Sequence, residues 1–120
     1  MPSAPVILVV EDEALVRWLV VDMFVEAGYD VLEACDGDEA LTVLAARQDI
    51  RGLFTDIHMP GGMDGLALAH HVRSTRPDCA IVLASGRGLP QETVLPPNAR
   101  YVPKPYRGEK VVEILRGLLS

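Results

Sequence analysis

The sequence contains no run of lysine and arginine, and its formal net charge is −6. A chain of that balance has nothing with which to track a phosphate backbone, so direct nucleic-acid binding is not expected. Cysteine is scarce. Cys35 and Cys79 stand alone, without metal-ligand spacing, and are read as two buried, reduced thiols. Long apolar runs are also missing. Met1-Pro2-Ser3-Ala4-Pro5 carries no charged leader ahead of the first apolar stretch, and Glu11-Asp12-Glu13 cuts that stretch short. Neither a signal peptide nor a membrane span is expected, and the protein is expected to be cytoplasmic. No internal period, linker or low-complexity tail breaks the chain, which leaves one domain over residues 1–120.

Apolar residues make up 49% of the chain, enough for a buried core. Val6–Val10 is five apolar residues in succession, the pattern of a strand covered on both faces. Residues 14–27 are predicted as a helix stopped by Gly28, with Val16, Val20, Met23 and Ala27 facing inward. Asp30–Ala34 is a second strand, and Asp36 is placed to cap a helix over about 38–47. A third strand contains Leu53 and Phe54 and ends at Asp56. Asp64 and Gly65 open a third helix that Pro77 stops near Arg76. Residues 80–84 form a fourth strand and 100–102 a brief fifth. Between them Pro90, Pro96 and Pro97 leave room for a shortened fourth helix, one or two turns around 91–95. Residues 109–119 close the chain as a helix with Val111, Leu115 and Leu118 inward.

Alternating strands and helices argue for an α/β fold with a parallel sheet covered on both faces. Ligand sites in such sheets lie at the carboxyl ends of the strands, near the point where strand order reverses. The polar residues fall at those ends: Glu11 and Asp12, then Asp56, then Ser85, then Lys104. Converging carboxylates repel one another, and a hard divalent cation relieves that repulsion. All-oxygen ligands suit magnesium, with manganese as a substitute. Glu11, Asp12, Asp56 and the backbone carbonyl of His58 would hold it. Asp56 is then a nucleophile able to form an acyl phosphate, and Lys104 and Ser85 can meet the phosphoryl oxygens.

ILVVEDE, FTDIHMPGGMDG, VLASG and YVPKPY together resemble the four signature segments of response-regulator receiver domains. The likeness runs in order across essentially the whole chain. It implies a doubly wound, flavodoxin-like five-stranded parallel sheet with strand order 2-1-3-4-5. It also implies that Asp56 is the phosphorylated aspartate and that Glu11 and Asp12 are the acidic magnesium pair. Ser85 is implied as the hydroxyl that binds phosphoryl, Lys104 as the family lysine, and Tyr101 as the aromatic that changes rotamer on activation. The Lys104–Pro105 bond resembles one that is cis in the family. The implied donor is a histidine kinase or a histidine phosphotransfer protein. The implied role is signalling rather than enzymatic, the chain supporting its own phosphorylation and slow dephosphorylation.

Two features depart from the common pattern. MPGGMDG carries one more glycine than the usual turn, so a longer or more flexible loop is expected beside Asp56. The proline-broken fourth helix alters the surface through which the family usually signals. His58 is expected in a solvated loop, His70 and His71 on the surface, and Arg87 on the surface rather than on phosphoryl. Tyr101 fits a half-buried strand aromatic equally well. Trp18, Val21 and Val25 form an apolar strip on the first helix, read as a docking face for a partner helix or second subunit. Cover by a neighbouring side chain is the alternative.

The leading expectation is a stand-alone receiver. No effector domain is expected after Leu119, so output would run through protein contacts or drainage of phosphate from a relay; a longer parent protein is the alternative. A phosphatase acting through an aspartyl-phosphate wants a second acid two residues after the first, where His58 stands. A pseudo-receiver that never carries phosphate is disfavoured by the intact acids and Lys104.

Overall fold

The computed structural model describes residues 4–120. The elements run β1 (Val6–Val10), α1 (Ala14–Glu26), β2 (Asp30–Ala34), α2 (Gly37–Ala46), β3 (Ile50–Asp56), α3 (Gly65–Thr75), β4 (Ala80–Ser85), β5 (Ala99–Pro103) and α4 (Gly108–Leu119). The five strands are parallel and lie in the order β2-β1-β3-β4-β5. This is the expected doubly wound sheet.

Side chains of a strand alternate between faces, and β1 shows the consequence. Val6, Leu8 and Val10 join a buried cluster with Ala40 and Leu44 of α2 and Leu68, Ala69 and Val72 of α3. Ile7 and Val9 point the other way, into a second cluster with Val20 and Phe24 of α1 and Val111, Val112 and Leu115 of α4. Helices therefore cover both faces, which is why every residue of β1 and β4 is buried. Asp36 and Asp64 cap α2 and α3, accepting from the amides of Glu39 and Ala67, each at 2.8 Å. Lys104–Pro105 is cis. Among the described residues no helix is long and apolar enough to cross a membrane.

The structure corrects the sequence reading in four places. The shortened helix expected near 91–95 is reduced to a turn, in which the Thr93 amide donates to the Pro90 carbonyl at 3.0 Å. Proline lacks an amide donor, so Pro96 and Pro97 cannot continue a helical ladder. The segment covers the sheet instead with Leu89 and Leu95, which pack on the first cluster. It is fastened to α3: the Arg73 guanidinium donates to the Pro97 carbonyl at 2.7 Å, and His70 Nε2 donates to the Val94 carbonyl at 2.8 Å. His70 is thus exposed, as expected, yet has a structural partner.

The second correction concerns α1. Its apolar residues surround the helix, so sequence alone does not select a face. Phe24, absent from the expected inward set, is fully buried and meets Tyr29 and Phe54 edge-on. Third, Val21 belongs to the half-buried flank packed on the second cluster. The exposed apolar face is instead Leu15, Trp18, Leu19 and Val25, with Trp18 61% exposed. Fourth, Cys35 is only half-buried, at the end of β2; Cys79 is buried, and that burial pushes its thiol pKa up to about 11.

Candidate functional site

Strand order reverses at β1, whose neighbours are β2 and β3. The carboxyl ends of β1 and β3 flank a crevice there. Glu11 follows β1 and is continuous with the sheet, its amide donating to the Ala34 carbonyl at 3.1 Å. Its side chain is buried, while Asp12 beside it is exposed. Asp56 ends β3 and is only 8% exposed. Glu11, Asp12 and Asp56 each offer a carboxylate oxygen within 4.8 Å of the others.

Lys104 enters from the loop after β5. Its ammonium lies 3.3 Å from Glu11 Oε1 and 3.4 Å from Asp56 Oδ1. Burial pulls the lysine pKa down, but the charges of Asp56 and Glu11 more than offset it, and the net shift is upward from 10.5. The side chain is therefore a cation at neutral pH. Three carboxylates against one ammonium leave two negative charges uncompensated when all are ionised. Two like charges about 4 Å apart repel by about 4 kcal/mol at an effective dielectric near 20. Such an oxygen-only set fits a hard divalent cation, which would cancel that excess.

Burial and the neighbouring acids act together on Glu11. Burial raises its carboxyl pKa above the ordinary 4.5; Asp12 and Asp56 push the same way and Lys104 opposes them. The folded chain thus holds this proton more tightly than the unfolded chain does. Stability from this group is greatest at low pH and falls as pH rises through the raised folded value. Glu11→Gln removes that loss. In metal-free buffer its melting temperature relative to wild type is expected to climb between about pH 4 and about pH 7. A difference that shrinks over that range would contradict the crowding.

Ser85 ends β4 and is buried. Its hydroxyl oxygen accepts from the Arg87 amide at 3.1 Å, which leaves its proton for another acceptor. Its carbonyl accepts from the Lys104 amide at 3.0 Å and from the Tyr101 hydroxyl at 3.1 Å. Tyr101 is half-buried on β5, and its hydroxyl is bonded to the Ser85 carbonyl. His58 and Arg87 are exposed and, with Asp12, Gly61, Gly62 and Asp64, line an open cavity of about 540 Å³ at the mouth of the site. His71 is exposed on α3. The longer glycine turn is accommodated by Gly61, which takes φ of +98°.

Three contributors escaped the sequence reading. Thr55 is buried and its hydroxyl donates to the Asp56 carbonyl at 2.9 Å. Gly65 donates its amide to the Ile57 carbonyl at 2.9 Å and lies so close to Asp56 that a Cβ would land on its carbonyl oxygen. Arg17 on α1 reaches back to the Glu11 carbonyl at 2.9 Å. Only Gly65 left a local trace, as the glycine that follows a capping aspartate.

Comparison with known proteins fits this geometry. Residues 7–116 match the family model described as the response regulator receiver domain. The chain is 34% identical over 121 positions to the aerobic respiration control protein ArcA of Escherichia coli, covering 98% of this chain and 50% of ArcA. It thus spans half the length of that relative. It is 32% identical to a chemotaxis protein CheY homolog of Campylobacter jejuni, covering 95% of this chain and 92% of the homolog. Among solved structures, the response regulator TrrA of Thermotoga maritima, in complex with Mg(2+)-BeF, superposes with a TM-score of 0.84 at 30% identity, covering 95% of this chain and 98% of TrrA. The chain belongs to the response regulator receiver domain family.

Proposed function

We propose that the chain accepts a phosphoryl group on Asp56 from a phosphohistidine of a histidine kinase or a histidine phosphotransfer protein. The observation that carries this reading is the meeting of Asp56, Glu11 and Asp12 with Lys104 at the strand-order reversal. An Asp56 carboxylate oxygen attacks phosphorus, the phosphorus–nitrogen bond breaks, and its electron pair returns to the imidazole of the donor. Glu11, Asp12, Asp56 and the backbone carbonyl of His58 would hold magnesium, or manganese in its place; TrrA, similar in sequence and fold, was captured with Mg(2+)-BeF. When bound, the ion neutralises charge on the transferring phosphoryl oxygens.

Lys104 places its ammonium where one phosphoryl oxygen arrives, and the Ser85 hydroxyl donates to another. Movement of Ser85 toward that oxygen disturbs the bond from Tyr101 to the Ser85 carbonyl. That link is the proposed switch, shifting a two-state equilibrium that controls partner binding or drains phosphate. Slow hydrolysis of the acyl phosphate would return the chain to its resting state. A cytoplasmic, single receiver unit belongs to the same proposal.

The test is incubation with acetyl phosphate and magnesium, read by intact mass. A gain of one phosphoryl group is expected. No gain would favour a binding module that never carries phosphate, and repeated turnover of a general phosphomonoester would favour a phosphatase.

The exposed face of α1 is the proposed docking surface for the donor. Trp18 is its largest side chain, flanked by Leu15 and Leu19. Trp18→Glu is expected to slow transfer from a phosphohistidine donor by about tenfold or more, the effect of losing an aromatic anchor. Labelling by acetyl phosphate should not change, because so small a donor has no apolar surface for Trp18 to anchor. Equal slowing with both donors would place the defect in the site instead.

A further inference from the structure

The turn that carries Glu11 and Asp12 leads into α1, and α1 starts without the aspartate cap of α2 and α3. α2 and α3 begin with aspartate caps, whereas the first residue before α1, Glu13, makes no side-chain cap and no acid lies in the first turn. Arg17 takes over the fastening. Its side chain is 21% exposed and reaches back along the helix. Nη1 donates to the Glu11 carbonyl at 2.9 Å, and Nε donates to Glu33 Oε1, on β2, at 3.2 Å. The same strand already receives the Glu11 amide through the Ala34 carbonyl.

We propose that Arg17 is the positioning residue of the metal-binding turn. Its planar fork ties the Glu11 backbone to β2 and so sets where Glu11 and Asp12 present their carboxylates. This rests on the assignment of Glu11 and Asp12 as metal ligands in the preceding section. The charge of Arg17 argues the opposite way from its geometry, which makes the two separable. As a mere cation near the acids it would repel a divalent ion, so its removal would tighten magnesium binding. As a positioning group, its removal loosens the turn and weakens binding, as loss of groups that orient metal ligands does.

The experiment is calorimetric titration of the full chain with magnesium chloride, without any phosphodonor. Arg17→Ala is expected to raise the dissociation constant about tenfold or more. Arg17→Lys keeps the charge but not the fork, and should fall between Arg17→Ala and wild type. In acetyl phosphate labelling, the magnesium concentration for half-maximal rate should rise in both variants while the rate at saturating magnesium is kept. General damage to the site would lower that saturating rate. Unchanged or tighter magnesium binding in folded Arg17→Ala overturns the proposal. Should Arg17→Ala fail to fold, Arg17→Lys decides alone: weaker binding supports the assignment and wild-type binding overturns it. Absence of magnesium binding by the wild type removes the metal assignment itself, and is told apart by the wild type failing rather than the variants.

Discussion

Asp56→Asn is expected to abolish the phosphoryl gain from acetyl phosphate while the chain stays folded. The amide is nearly isosteric with the carboxylate, so the packing at the end of β3 survives. Its oxygen is no longer an anionic nucleophile, and no other carboxylate stands at the end of β3, since Glu11 and Asp12 follow β1. Intact mass before and after incubation checks the result. The same variant separates nucleophile from ligand. In the wild type, magnesium at a hundredfold excess over its dissociation constant would add about 2.7 kcal/mol of stability. Asn leaves Glu11 and Asp12 in place but removes one anionic ligand, so the magnesium-dependent rise in melting temperature should shrink. A full rise with no phosphoryl gain would make Asp56 a nucleophile only. A retained phosphoryl gain would sink the acceptor assignment.

Gly65→Ala is expected to be among the most damaging single-methyl changes in the chain. A Cβ at Gly65 would overlap the Asp56 carbonyl oxygen, with the Asp56 carbonyl carbon at 2.7 Å and the Ile57 Cα at 2.9 Å. These are backbone atoms, which no rotamer change can move aside. Overpacking of this kind costs about 1–3 kcal/mol and occasionally more, and the upper end applies here because backbone must shift. The displaced carbonyl belongs to the acceptor itself, so the labelling rate should fall as well. Urea denaturation gives the stability and intact mass gives the rate. Gly62→Ala is the control, since a Cβ at Gly62 meets nothing within 4 Å. Equal stability of the two variants would show that the close approach at Gly65 relaxes without cost.

Much of the site was legible because a parallel sheet converts sequence position into spatial position. Each strand ends at the same edge, so polar residues that directly follow apolar runs must gather there. Glu11, Asp12, Asp56, Ser85 and Lys104 were found in this way, with no knowledge of distances. The cap residues Asp36 and Asp64 were equally readable, because capping is a local bond across three residues. What could not be read depended on neighbours distant in sequence. α1 is apolar around its whole circumference, so only the placement of β1 and α4 against it decided that Phe24 is core and Trp18 is not.

The amino-acid sequence by itself thus placed the five strands, four of the five expected helices and the residues of the acidic pocket, since those follow from local periodicity and from strand ends; the strand order came only with the family resemblance. Tertiary structure alone decided the rest. It placed Lys104 between two carboxylates 93 and 48 residues away along the chain, and it linked Tyr101 to Ser85. It also clamped the β4–β5 segment with Arg73 and brought Arg17 back onto Glu11. Each of those contacts is a directional bond from a long side chain. Such bonds depend on ångström-scale placement of whole elements, which no pattern of apolar and polar residues encodes.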